Sequence, residues 1–458
     1  MQGTATAIGK YPLLNPDFED SNPLLYSAPA VAIRKLVWLY FILLLVEGAL
    51  RKWILPSQSD KLLLVRDPVA LLIYYHAFGS GIFQLNQRLK LLLILCVVSI
   101  PLAVIGGGFK LLPIMYGVRI HFLHFPLIFI MPLVCTYRDV IKMGRMFLMV
   151  SPLMTLVIIN QFESGVDDQI NAVAGGGVGA LETSGGKVRA SGTFSFVSGV
   201  VYYYAFLLCF TIIGFLRKGT YSNLLLWVSV AFTILAIVTS GSRSVVAGVI
   251  HVLACFAFLA YYRPQSFGSA FSLIFTLTIA VLLLSRTEIY NSGVQFLKMR
   301  FDEASNVEGD AVTAYFERNK KIVFSPVQHS FGPFVDFWGR GLGSGTQGCV
   351  RLGAPKAFFG ENEWERHIVE TGPIIGNFFI LWRVSLAWFL LLQCIQAIKR
   401  DNYLPIFIWG ASSHIILWGP IGQPTTLGFF ALGAGLCLAS IRYRTASSVA
   451  GFPTYNRG

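Results

Sequence analysis

The sequence predicts an all-α integral membrane protein of about twelve transmembrane helices with one large external loop. Three observations carry this expectation. The chain has 458 residues, 55% of them apolar and 13% charged, whereas soluble globular domains carry about 25% charged residues. Mean hydropathy is +0.63, so lipid has to stand where a soluble chain of this size would meet water. Apolar runs recur at the length a helix needs to cross a hydrocarbon core, about 20 residues, and the basic residues are divided unevenly between alternate loops.

In chain order, residues 1–35 form a polar, Pro-containing cytoplasmic segment with no small-residue cleavage site, so the first apolar run reads as a signal anchor. Runs follow near 36–55, 61–79, 89–108, 113–135, 143–161, 192–215, 222–240, 244–262, 269–285, 372–397, 403–420 and 424–441, with Arg66 and Asp67 interrupting the second. They group into a membrane domain at 36–285, a second membrane part at 372–441 and a cytoplasmic tail at 442–458. Between the two membrane parts, 286–371 is the large external loop. Long connections between helices are functional or disordered. Tyr315, Phe316, Phe337, Trp338 and Trp364 disfavour disorder here, and short helices on the membrane surface are expected. A second polar stretch, 162–191, is rich in Gly, Asp and Glu.

The net charge of +13 does not mark a nucleic-acid binder. With the N-terminus inside, the inner segments hold sixteen basic residues, among them Arg34, Lys35, Arg217, Lys218, Arg263 and Lys399, against five acidic ones. The remaining twenty basic and eighteen acidic residues nearly cancel, so the excess is a topology signal. Six cysteines (Cys96, Cys135, Cys209, Cys255, Cys394 and Cys437) lie in or at the ends of apolar runs, where a thiol acts as a small hydrophobe, and Cys349 is alone in the external loop. No Cys or Cys/His spacing supports a metal site, and no cofactor is expected.

Three arginines stand at outer boundaries, where the positive-inside rule disfavours them: Arg189 before the sixth run, Arg243 in the turn Thr239-Ser-Gly-Ser-Arg-Ser244, and Arg318 in the external loop. A guanidinium fork donates two parallel hydrogen bonds to phosphate; the bland alternative is a side chain snorkelling to headgroups or paired with a nearby acid such as Glu317. Ser242 and Ser244 flank Arg243 and help form an anion cup. The glycine run Gly339-Arg340-Gly-Leu-Gly-Ser-Gly345 lacks the Gly-Lys-Ser/Thr ending of a P-loop and reads as a tight turn at the membrane face. From Gly360 to Gly376, helical spacing pairs Glu363 with His367 and Arg366 with Glu370. This segment is either a solvated amphipathic helix or the seat of a general base.

A Ser-Gly-Ser-Arg-Ser turn, a large external loop with an arginine, a Gly-x-Gly-x-Gly stretch and then Glu361-Asn362-x9-Gly372 resemble, in that order, the O-antigen ligase and O-antigen polymerase superfamily. The motifs cover about 185–385. The resemblance implies a GT-C-like helical fold in the bacterial inner membrane, with its site facing the periplasm. It implies a metal-independent glycosyltransferase whose donor is a glycan on undecaprenyl pyrophosphate and whose acceptor is a glycan or lipid. Arg243 and Arg318 would then hold the pyrophosphate, with Arg189, Ser242, Ser244, Asn362 and Arg340 as further substrate-binding candidates. In the ligases the base position is a histidine; Glu361 stands there in this chain. Other polysaccharide assembly and export proteins are the implied partners. A transporter or flippase of lipid-linked sugar is the rival reading, and a structural subunit of an export complex a third. Glu47, Arg66, Asp67, Arg119, Arg383 and His414 are then scattered exceptions to the clustering of charge at the outer boundary.

Overall fold

The computed structural model describes residues 23–441 apart from 109, 176–185, 265–266, 310, 332–335 and 354–361. Most of the predicted N-terminal segment, the cytoplasmic tail and Glu361 therefore lie outside the described residues. Among the described residues the chain is helical throughout, with no strand. The first half holds α1 (Ala28–Ala49), α2 (Ser59–Leu62), α3 (Asp67–Gly79), α4 (Gln87–Gly106), α5 (Leu111–Val118), α6 (Pro126–Val134), α7 (Tyr137–Glu163) and α8 (Val197–Leu216). Then come α9 (Asn223–Thr239), α10 (Arg243–Tyr262), α11 (Phe267–Leu284), α12 (Glu288–Glu308), α13 (Ala311–Ser330), α14 (Gln347–Arg351), α15 (Glu363–Lys399), α16 (Leu404–Trp418) and α17 (Pro424–Ile441).

Among the described residues nine helical stretches are long and apolar enough to cross a membrane, the architecture of a multi-pass membrane protein. The other three predicted spans are also helices but miss that measure. α9 has 17 residues and α16 has 15, and α11 turns by 102° into α12. Helix starts follow local rules: Ser27, Asn86 and Ser222 each cap a helix with a side-chain oxygen, and Thr136 and Asp139 form a reciprocal capping box. The large loop differs from expectation. Besides the short α14, of five residues, it carries the long helices α12 and α13, of 21 and 20 residues.

Loops sort to two ends of the bundle. At one end the Arg51 guanidinium reaches Ser195, and Gly106 and Gly117 lie against Gly339 and Leu342 so closely that a Cβ would collide with backbone. At the opposite end Arg34 donates to Val134 and Leu25, Arg217 to Asp401, and Arg263 to Lys399. This alternation is the one the basic-residue count predicts. Cys349 lies buried in α14, and burial pushes its thiol up to about 12. The wild-type chain should therefore stay unlabelled by a membrane-impermeant thiol reagent in intact spheroplasts, while Ser305→Cys, on exposed α12 surface, should label. Labelling of Lys399→Cys with protection of Ser305→Cys would reverse the orientation.

Candidate functional site

The site starts at the turn between α9 and α10. Gly241 takes φ +60 there, and a Cβ would lie 2.2 Å from Phe296 Cε1, so only glycine lets α12 close over the turn. α12 runs along α9 and touches α10. Phe296 anchors it, 5.3 Å from Phe162, whose ring in turn lies 4.7 Å under Lys187 Nζ. One turn after Phe296, Arg300 arrives beside Arg189 and Arg243. The sequence points to two of these arginines; Arg300 is the one it misses, though its i+4 spacing from Phe296 was readable.

Three guanidiniums in one place repel each other. Burial first, then Arg300 and Arg243, draw the Arg189 guanidinium below its usual range. Arg300 is ion-paired with Glu303 on its own helix. Even so, the buried Nε atoms of Arg189 and Arg300, the Ser242 Oγ and the Glu303 Oε1 have no hydrogen-bond partner among the described residues. Ser242 is the N-cap of α10 but makes no side-chain cap, leaving the positive end of that helix beside the arginines. Unsatisfied buried donors are expensive. Cations, orphan donors and a helix N-terminus together make a receptor for a phosphate-type anion.

The other predicted residues fall in different roles. Ser244 is exposed on the first turn of α10. Arg318 is on α13, and its side chain is outside the described residues. Asn362 caps α15 and donates to Ile322 O at 3.2 Å and Ser325 Oγ at 2.7 Å, pinning α13 to α15. Arg340 pairs with Asp336 at 3.3 Å. The glycine run docks on α15: Gly343 and Gly345 N–H each donate to the Glu370 carboxylate at 3.0 Å, and Gly341 N–H to the Glu370 carbonyl at 3.1 Å. An internal carboxylate thus occupies the amides that a phosphate would need.

The segment before Gly372 is not the solvated amphipathic helix of the bland reading. Glu363, Arg366, His367 and Glu370 are all buried. Glu363 Oε1 lies 2.5 Å from Arg366, 3.5 Å from Arg383 and 3.6 Å from His367, and accepts from Ile421 N–H at 3.0 Å. Arg383 also donates to the carbonyls of Ile415, Ile416 and Gly419 at the end of α16. His121 Nε2 lies 3.1 Å from Glu370. Arg383 thus belongs to this network, and four of the other charges that look scattered in the sequence, Glu47, Arg66, Asp67 and Arg119, form a second buried one. Arg66 joins Glu47 at 2.8 Å and the Pro424 carbonyl at 2.6 Å, while Asp67 meets Arg119 and, at 3.1 Å, His124. His414 lies in neither network. Among the described residues no group of His, Cys, Asp and Glu is arranged to hold a metal ion.

No protein-family model matches the chain, and no curated protein matches it. The functional reading therefore rests on the residues themselves.

Proposed function

We propose that the chain is an envelope polysaccharide polymerase or ligase that transfers a glycan from undecaprenyl pyrophosphate to a sugar hydroxyl at the outer face of the bacterial inner membrane. The observation that carries this reading is the convergence of Arg189, Arg243 and Arg300 at the start of α10, with buried donors that lack acceptors among the described residues. A membrane-tethered pyrophosphate suits such a cage at a helix end. In this reading α9, α11 and α16 complete a twelve-span, GT-C-like bundle, and the cage faces the periplasm. The acceptor oxygen attacks the anomeric carbon and the bond from that carbon to the phosphate oxygen breaks. Its electrons pass to the lipid pyrophosphate, whose growing charge the guanidiniums stabilise. Glu361 takes the proton from the attacking hydroxyl, and Arg318 adds to the clamp. The acceptor is a glycan or lipid, and assembly and export proteins of the polysaccharide are the expected partners.

The test is reconstitution of the purified chain in liposomes with lipid-linked donor and acceptor, read as glycan lengthening on a gel. Wild type should lengthen the glycan, and Glu361→Gln should lose about 10²–10⁴-fold of that rate while retaining donor. The rival reading, a transporter or flippase, draws on the two buried ionic networks, since ionisable groups within spans mark transport pathways. It predicts no lengthening by wild type, and that result ends the transferase reading.

A further inference from the structure

At the end of the bundle opposite the arginine cage, α8, α9 and α11 part around a cavity of about 630 Å³. Its lining divides by depth. Lys218, Gly219, Ser222 and Asn223 belong to the turn at the mouth, Leu226, Trp227 and Thr276 lie a turn further in, and the exposed Phe275 ring forms its open side. Gly219 adopts φ +86, which shapes the turn, and a Cβ on Gly214 would lie 2.4 Å from Leu226 Cδ2, so glycine there lets Leu226 pack against α8 beneath the turn. The Thr276 hydroxyl is satisfied within its own helix by the Ser272 carbonyl at 2.8 Å, which leaves the deep part effectively apolar. Lys218 is exposed and makes no ion pair among the described residues.

We propose that this cleft binds an anionic phospholipid, with the phosphate at Lys218 and an acyl chain along Leu226 and Phe275. Charge and position favour this occupant. A soluble phosphate would use Lys218 and leave the aromatic wall empty, whereas a lipid uses both, as a Lys beside Trp at a membrane boundary does. Arg217, Arg263 and Lys399 crowd the same end, which the positive-inside rule assigns to the leaflet where anionic lipids concentrate. The inference is independent of the transferase reading, because no residue of the cage lines this cleft.

The experiment uses the full chain in nanodiscs of phosphatidylglycerol and phosphatidylcholine, with lipid retained after detergent extraction counted by native mass spectrometry. One cation near an anionic surface contributes about a fivefold preference, so wild type should retain phosphatidylglycerol about fivefold over phosphatidylcholine. Lys218→Ala should abolish the preference, and Lys218→Arg should keep it. Ser272→Trp, which fills the cavity, should lower retention of both lipids. Glycerol 3-phosphate should not compete. Equal retention of the two lipids by wild type, or an unchanged preference in Lys218→Ala, overturns the proposal. Displacement by glycerol 3-phosphate overturns the lipid as the source of the phosphate.

Discussion

Arg300→Lys, Arg243→Lys and Arg189→Lys should each lower glycan transfer by about 10²–10³-fold, the cost of removing one preorganised donor from a developing oxyanion. Lysine keeps the positive charge and loses the planar fork, so each change isolates geometry from charge. Arg300 is the most telling of the three. Its Nε is buried without an acceptor among the described residues, while its Nη1 is ion-paired with Glu303 on the same helix. Arg400→Lys, exposed at the opposite end, should be silent. The measurement is initial rate in the liposome assay, with protein level checked by blot. Wild-type rates in Arg300→Lys and Arg243→Lys would leave the anion cage without a role in transfer.

Arg383→Ala should remove most of the folded protein from the membrane. The side chain is fully buried, ion-paired with Glu363, and satisfies three carbonyls at the end of α16. Removing one partner of a buried pair costs about 3–5 kcal/mol, because the other charge stays buried and uncompensated. Here Glu363 retains Arg366, but the α16 carbonyls have no replacement donor. That loss is comparable with the whole stability of many domains, about 5–15 kcal/mol. A Glu363→Gln/Arg383→Met double variant should be less destabilised than the sum of its single changes, since it removes both charges. Fluorescence-detected size-exclusion chromatography of detergent extracts reads the outcome. A monodisperse Arg383→Ala peak melting within a degree or two of wild type would mean that the network contributes little.

Much of the fold was legible because spans are chosen locally. A run such as Val197–Leu216 carries its own hydropathy, and Ser27, Asn86 and Thr136 carry their own caps. The excess of Lys and Arg in alternate loops is likewise local, and the sorting of Arg34, Arg217 and Arg263 to one end agrees with it. The polar turn around Arg243 was legible for the same reason. Arg66, Asp67 and Arg383 were not legible as partners. Each looks like an isolated charge, and its counter-charge or carbonyls stand from 19 to 358 residues away along the chain.

By itself, then, the sequence determined an all-helical membrane chain and its alternation between two ends of the bundle, properties summed over neighbouring residues. Only the tertiary structure decided which charges meet. The 102° bend between α11 and α12 lays α12 over the α9–α10 turn and carries Arg300 to Arg189 and Arg243. Docking of the glycine run on α15 turns Glu370 into an internal anchor rather than a solvated acid. The physical reason is that hydropathy is additive along the chain, whereas the energy of a charge depends on what surrounds it in space.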